Sequence, residues 1–124
     1  MPDLTAELTA FMAGYARATN SHDVAEVQPH IAPDASYWFS DGSFQGLAEI
    51  TRAIERTFAT IQQEVYTISD LHWILVSNEH AVCRYRFSWT GLVGGQPRSG
   101  AGRGTNVLER RNGNWLMLHE HLSP

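Results

Sequence analysis

The sequence predicts an α+β fold, in which helices from the first half of the chain pack on one side of a curved antiparallel sheet. Residues 4–61 contain three stretches with the i, i+3, i+4 apolar spacing of helices, interrupted by one short strand-like run. Residues 65–122 contain four longer strand-like runs separated by turn residues. A helix that lies across a strongly curved sheet leaves a conical hollow, so we expect a cone-shaped domain.

The predicted helices cover residues 4–20, a short stretch after Asp23, and residues 47–61. Asp23 is a predicted N-cap, with Glu26 three residues later as a capping box. Residues 35–40 form a short predicted strand that ends at the Asp41-Gly42 turn. The buried face of the third helix is predicted to consist of Leu47, Ile50, Ile54, Phe58 and Ile61.

The predicted strands of the second half cover residues 65–76, 80–93, 105–110 and 115–122. The alternate glycines Gly100, Gly102 and Gly104 predict a bulge or bend before the third of these strands. The strands are expected to follow one another as an antiparallel meander.

Asn112-Gly113 between the last two runs predicts a hairpin. A two-residue turn would place Asn106 opposite His119, whereas a three-residue loop with Gly113 in the left-handed position would place Asn106 opposite Leu118. The alternation of the last strand predicts two faces. One face carries Trp115, Met117, His119 and His121, and the other carries Leu116, Leu118, Glu120 and Leu122.

Composition limits the classes of function. The 124 residues are 43% hydrophobic, which predicts a single domain over residues 1–124. A net charge of −4 leaves no basic excess for nucleic acid. The sequence contains no apolar run long enough for a membrane and no signal peptide pattern, so we expect a cytoplasmic protein. Cys83 is the single cysteine, so an intrachain disulfide is excluded.

The order of the elements and two groups of residues resemble the nuclear transport factor 2-like, or SnoaL-like, superfamily. The first group is APDASYW at 32–38, followed by DG at 41–42 and GLAEI at 46–50, and the second is TNVLERRNGNWLMLHEHLS at 105–123. GGQPR at 94–98 is similar to the association (hub) domain of calcium/calmodulin-dependent protein kinase II. The resemblance implies a cone-shaped, cystatin-like fold with a pocket between sheet and helices, and a homodimer built on the outer sheet face.

The resemblance also implies that Arg86, Asn106, Glu120 and Leu122 lie on the pocket side, which requires the three-residue turn. Basic residues line the pocket of the hub branch, and Arg86 is the one matching position that is basic here. The alternation of residues 84–89 suggests the opposite, with Tyr85, Phe87 and Trp89 inward and Arg86 in water. Both placements of Arg86 remain open from sequence.

Glu120 is the predicted general acid or base, with a structural ion pair to Arg86 as the alternative. Arg86 and Asn106 are predicted polar anchors for a ligand, and Asn106 could donate to a developing oxyanion. Tyr15, Trp38 and Ile54 are predicted pocket walls, for which core packing is the alternative.

His119 and His121 could begin a zinc site, but a third ligand is needed and the spacing of His72 does not support one. We therefore predict no metal and no organic cofactor. The alternative for these histidines is hydrogen bonding at the outer sheet face, near a dimer interface.

Two hypotheses of function follow. The first is a protein that binds a small apolar or carbonyl-bearing molecule in the cone, as a cofactor-independent isomerase, cyclase or hydrolase that uses Glu120. The second is a non-catalytic binding or oligomerisation module. GGQPR favours the second, as does Arg84-x-Arg86 in place of the Arg-x-Asp unit of enzymes in this superfamily.

Overall fold

The fold is α+β, as predicted, and the computed structural model describes residues 3–124. The helices are α1 (Leu4–Asn20), α2 (Val24–Val27), which continues as a 3₁₀ turn (Gln28–His30), and α3 (Leu47–Thr60). The strands are β1 (Ile31–Phe39), β2 (Gly42–Gln45), β3 (Gln62–Val76), β4 (His80–Val93), β5 (Gln96–Arg111) and β6 (Asn114–Ser123). None of the helices in this part of the chain is long and apolar enough to cross a membrane.

Residues 3–124 form one six-stranded sheet in the order β2-β1-β6-β5-β4-β3. The sheet is mixed, because β1 runs parallel to β6 while the other neighbours are antiparallel. The predicted antiparallel sheet is therefore confirmed, with one parallel pair, β1 with β6, added to it. Strand β1, from the first half of the chain, pairs with β6, the last strand. Local sequence patterns do not predict such a long-range pairing. Strands β2 and β3 form the two edges and the sheet stays open.

The helices α1 and α2 each start at a capping aspartate. Asp3 caps α1 by accepting hydrogen bonds from the main-chain N of Thr5 and Ala6. Asp23 caps α2 in the same way through Ala25 N. The capping box with Glu26 is not completed, because Asp23 N donates to Ser21 Oγ instead. The apolar face of α1 then packs into the core through Leu8, Met12 and Tyr15.

The glycines of β5 accommodate aromatic rings from β4. Strands β4 and β5 pair without a register shift from His80↔Glu109 to Val93↔Gln96. A Cβ atom added at Gly104 would lie 2.3 Å from Cζ of Tyr85, so glycine lets that ring lie across β5. The predicted bulge at these glycines is therefore wrong.

The β5–β6 hairpin has a two-residue turn, with Asn112 at φ 51° and Gly113 at φ 80° between the paired residues Arg111 and Asn114. The three-residue turn that the resemblance implied is wrong. The register then shifts, because Leu108 pairs with Met117 and Val107 pairs with His119. Leu118 is the extra residue of this β-bulge, which brings Asn106 opposite Glu120.

The Leu118 bulge also changes the predicted faces of β6. Trp115 and Met117 are buried, and so is Glu120, three residues further on, whereas His121 is exposed. The strict alternation that grouped Met117 with His119 and His121 is therefore wrong. Without the bulge, Glu120 could not share the inner face with Met117.

Candidate functional site

A cavity of about 250 Å³ lies between the inner face of the sheet and the helices α1 and α3. It is smaller than the roughly 300–1,000 Å³ of pockets that hold drug-sized molecules, so it suits a small ligand. The lining is mostly apolar and aromatic, with a few hydroxyl and carboxyl groups. The lining residues are Tyr15, Thr19, Tyr37, Phe39, Ser40, Asp41, Ile54, Thr57, Phe58, Ile61, Glu64, Tyr66, Phe87, Trp89, Glu120 and Leu122.

Glu120 borders this cavity and is only 5% exposed. Its Oε1 accepts hydrogen bonds from Asn106 Nδ2 at 3.2 Å and from Tyr85 Oη at 3.4 Å. Tyr85 Oη also donates to Asn106 Oδ1 at 2.9 Å, and Asn106 Nδ2 lies 3.2 Å from Met117 Sδ. The protein thus fixes one oxygen of the carboxyl group from behind, through residues of β4 and β5.

Burial raises the pKa of Glu120 to about 7. The hydrogen bonds from Asn106, Tyr85 and Tyr15 oppose this rise, because they stabilise the ionised form. A carboxyl group with a pKa close to neutral pH exists in both protonation states, which is the property that general acid and base catalysis needs.

Buried tyrosines provide neutral hydroxyl groups at the cavity wall. The hydroxyl groups of Tyr15 and Tyr37 lie 2.9 Å apart and are hydrogen-bonded to each other. Burial, reinforced by the charge of Glu120, raises the pKa of both phenols well above the ordinary value. These groups therefore stay protonated and can donate to a ligand oxygen without becoming charged.

Glu64 is a second carboxyl group of the cavity, and sequence reasoning missed it. It is 7% exposed, and its fully buried Oε1 has no hydrogen-bond partner within residues 3–124. Burial raises the pKa of Glu64, and nearby His22 opposes that rise. The predicted strand begins at Val65, which leaves Glu64 just outside it. The alternation of Glu64 with Tyr66 was the signal that could have revealed it.

The lining carries three carboxyl groups, from Asp41, Glu64 and Glu120. No lysine, arginine or histidine of the described chain contributes to it. The electrostatic character of the cavity is thus neutral to negative, which disfavours an anionic ligand.

Arg86 lies on the outer face of the sheet. Its side chain is 69% exposed, and its Nε lies 3.7 Å from Asp70 Oδ2. The predicted position of Arg86 in the cavity, and with it the predicted Arg86–Glu120 pair, is wrong. Tyr85 takes the inward position, so the neighbouring residue of the strand must point outward.

Trp38 also lies on the outer face, with its side chain 51% exposed. Its ring packs against His119 and His121, at centroid distances of 5.3 and 5.8 Å. The prediction of Trp38 as a cavity wall is therefore wrong. Tyr37 pairs with Glu120 across the parallel β1–β6 ladder and lines the cavity in its place.

The structure does bring Tyr15, Ile54 and Glu120 together around one cavity. Asn106 is fully buried behind Glu120 and contacts the carboxyl group without lining the cavity. The roles of these four residues in binding or catalysis stay predictions.

His119 and His121 share the outer face of β6, with ring centroids 6.4 Å apart. Ser36 Oγ is hydrogen-bonded to His119 Nδ1 at 2.7 Å. The pKa of His119 is lowered, first by burial and then by the neighbouring His121. Within residues 3–124 no group of three His, Cys, Asp or Glu side chains is placed to hold a metal ion.

Comparison with solved structures shows the same fold in proteins of low sequence identity. A nuclear transport factor 2-like superfamily protein from Salmonella enterica superimposes with a TM-score of 0.87 at 19% identity, over 97% of this chain and 89% of that chain. A candidate calcium/calmodulin dependent protein kinase II association domain from Xanthomonas campestris gives 0.83 at 22% identity, over 94% and 84%. A candidate scytalone dehydratase from Novosphingobium aromaticivorans gives 0.82 at 14%, over 93% and 79%.

A search of curated proteins gave no match. The sequence profile of the SnoaL-like domain matches residues 8–124, which is nearly the whole chain. The cavity between α1, α3 and one face of the sheet agrees with that match. The chain therefore belongs to the SnoaL-like domain family.

Proposed function

We propose that the protein binds a small, largely apolar, carbonyl-bearing molecule in the cavity and that Glu120 exchanges protons with it. The observation that carries the proposal is the buried carboxyl group of Glu120 at the cavity wall, with Oε1 held by Asn106 and Tyr85. An isomerase, a cyclase or a hydrolase could each use such a group without an organic cofactor.

Proton transfer next to a carbonyl group illustrates the chemistry. Ionised Glu120 removes a proton from the carbon beside the carbonyl. The electron pair of that C–H bond forms a carbon–carbon double bond, and the carbonyl electrons move onto oxygen. A neutral phenol of Tyr15 or Tyr37 donates to the resulting enolate oxygen. If the substrate also carries a carbon–carbon double bond next to the deprotonated carbon, protonated Glu120 returns the proton to the far carbon of that double bond. The enolate electrons then re-form the carbonyl group, and the double bond has moved into conjugation with it, which completes an isomerisation.

The structural neighbours are compatible with this proposal but do not carry it. One neighbour is a candidate scytalone dehydratase, and removal of water is also a reaction that a carboxyl group can assist as acid and base. The identity of 14% supports a common fold alone.

The proposal can be tested without knowing the natural substrate. 5-Nitrobenzisoxazole is a small aromatic probe whose single ring-opening step needs only a base. The base removes the C–H proton while the N–O bond breaks, and the coloured product is 2-cyano-4-nitrophenolate. We expect the protein to accelerate this reaction with a rate that rises with pH around a midpoint of about 7, because ionised Glu120 is the base.

Glu120→Gln keeps the shape of the side chain and removes the base. We expect the rate to fall by roughly 100-fold or more, in line with the usual contribution of general base catalysis. The matched control is Glu55→Gln, because Glu55 is an exposed glutamate of α3 outside the cavity. A Glu120→Gln protein as active as the Glu55→Gln protein would remove Glu120 from the mechanism.

The alternative function is a binding or oligomerisation module without turnover. The observation that favours association is a set of large apolar side chains on the sheet that are more than half exposed: Trp38, Val65, Ile74 and Leu75. Trp38 lies on β1 and the other three lie on the edge strand β3, so an interface that covers all four would span the sheet. We therefore also propose a homodimer that covers the outer face of the sheet.

Sedimentation of wild-type protein and Trp38→Asp tests the dimer. We expect wild-type protein to sediment as a dimer and the variant to shift toward monomer, because the added charge would be buried in the interface. A monomeric wild-type protein, or a variant that stays fully dimeric, would contradict an interface at Trp38. A stable dimer with no acceleration of the probe reaction would favour the non-catalytic module.

A further inference from the structure

We infer that Glu64 is a specificity-determining residue that selects ligands with a hydrogen-bond-donating group, either hydroxyl or ammonium, on an apolar body. This inference rests on the proposed function in one respect, namely that the cavity is the ligand site. It adds a second polar contact at Glu64, separate from Glu120, and defines the class of ligand by its charge.

The local backbone turns Glu64 into the cavity. Gln63 adopts a left-handed conformation at φ 55°, and the β3–β4 pairing shifts between Gln62 and Val65. This irregularity turns Glu64 inward near the start of β3, where the residue lines the cavity. β-Bulges are common next to binding and active sites, where they change the direction of one side chain.

The carboxyl group of Glu64 lacks a protein partner that its burial requires. Oε1 is fully buried, and no group within residues 3–124 donates a hydrogen bond to it. The nearest imidazole is already engaged, because His22 Nε2 is hydrogen-bonded at 2.7 Å to the main-chain oxygen of Glu64. A buried polar group without a partner is costly, so a donor supplied by a ligand would stabilise this site.

The two inward glutamates differ in the hydrogen bonds that their carboxyl groups accept from the protein. Glu120 Oε1 accepts hydrogen bonds from Asn106 and Tyr85, whereas Glu64 Oε1 accepts none from the described chain. Tyr66 lines the cavity near both groups, since the charges of Glu120 and Glu64 each raise the pKa of its phenol. The protein thus holds Oε1 of Glu120 in place, as proton transfer requires, whereas Oε1 of Glu64 lacks a donor that a ligand could supply.

The charge of the whole lining fixes the class of that ligand. The described cavity wall contains three carboxyl groups and no cationic side chain, so a ligand carboxylate or phosphate would meet repulsion without any ion pair. A hydroxyl group can donate to a carboxylate, and an ammonium group can donate and also neutralise it.

Four probes with one carbon skeleton test the inference by binding alone: toluene, benzyl alcohol, benzylamine and benzoate. Each is titrated into ¹⁵N-labelled protein, and amide shifts around the cavity give the affinity. We expect benzyl alcohol or benzylamine to bind roughly 10-fold tighter than toluene, because a hydrogen bond to a charged group is stronger than one between neutral groups. Benzoate should bind weakest. Which of the two donors is preferred identifies hydroxyl or ammonium as the ligand group.

Glu64→Leu removes both acceptor oxygens and should reduce the preference for the donor-bearing probe over toluene by about 10-fold. Glu55→Leu is the matched exposed control and should keep the preference. If Glu64→Leu does not fold, Glu64→Asp retains the charge on a shorter stem and should weaken the preference without abolishing it.

Equal affinities for toluene and both donor-bearing probes would overturn the inference, as would a preference that persists undiminished in Glu64→Leu. Tightest binding by benzoate, or no binding by either donor-bearing probe, would overturn it as well. These readouts need no turnover, and 5-nitrobenzisoxazole carries no donor group on its rings. Failure of the Glu64 inference is therefore distinguishable from failure of Glu120 as a base.

Discussion

The inner and outer faces of the sheet are built by alternate residues of the same strands, yet they have opposite electrostatic character. Tyr85 and Glu120 point inward, while Arg86 and His121 beside them point outward. Outside, Arg84, Arg86 and Arg103 surround a surface hollow with Asp70. Inside, the described lining has carboxyl groups and no cation. This separation explains why no cation neutralises Glu120: Arg84 and Arg86, which flank Tyr85 in sequence, line the outer hollow and are absent from the cavity wall.

The largest expected consequence is a stability that depends on pH through Glu120. Its pKa is raised from an ordinary value of 4.5 to about 7 in the folded protein. The resulting stabilisation is fully present below the unfolded pKa and is lost as the pH rises through the folded pKa. From pH 5 to pH 8, the free energy of unfolding should therefore fall by roughly 2 to 3 kcal/mol more in wild-type protein than in Glu120→Gln.

Urea denaturation of both proteins at a series of pH values measures this difference. Other groups that titrate, including Glu64, are present in both proteins, so they cancel in the comparison. Parallel pH profiles for the two proteins would show that Glu120 is ionised in the folded state at ordinary pH, and the contrast between the two faces would lose its functional meaning.

The main elements could be predicted from the sequence because their signals are local. The periodicity of residues 4–20 gave the bounds of α1, and Asn112-Gly113 predicted the final turn. The bulge at Leu118 could not be predicted, since leucine fits a regular strand and the bulge depends on pairing with β5. Glu64 was missed for a similar reason, because the conformation of Gln63 is not encoded by its type.

Arg86 and Trp38 show two further limits of prediction. The alternation of β4 correctly indicated an outward Arg86, and the position carried over from the resemblance was wrong because basic residues at matching positions need not point the same way. In so short a strand, the sequence pattern does not show whether Tyr37 or Trp38 faces the core. The parallel pairing of Tyr37 with Glu120 decides between them, and that pairing joins residues 83 positions apart in sequence.

A smaller effect is expected from Tyr85→Phe, which alters the inner face without changing its shape. Asn106 Oδ1 would lose its donor, and Glu120 Oε1 would lose one of two hydrogen bonds. We expect a loss of about 1–2 kcal/mol in the free energy of unfolding. The pKa of Glu120 should move upward, because the lost hydrogen bond stabilised the ionised form.

The pH profile of the 5-nitrobenzisoxazole reaction reports that shift as a midpoint at higher pH in Tyr85→Phe. A midpoint that stays in place or moves to lower pH would show that Tyr85 does not support the carboxylate. Tyr85 would then contribute to packing of the inner face without affecting the ionisation of Glu120.

The smallest effect is expected from Arg86→Gln on the outer face. The pair between Arg86 and Asp70 is exposed on both sides, and Arg86 stands directly opposite Arg103 in the β4–β5 ladder. An exposed ion pair contributes little, and removal of a like-charge neighbour offsets the loss, so the free energy of unfolding should change by less than about 0.5 kcal/mol. The midpoint of the 5-nitrobenzisoxazole profile should equal that of wild-type protein, because the sheet separates Arg86 from the cavity. A clear upward shift of that midpoint in Arg86→Gln would mean that the guanidinium group stabilises ionised Glu120, and the two faces would then act as one electrostatic unit.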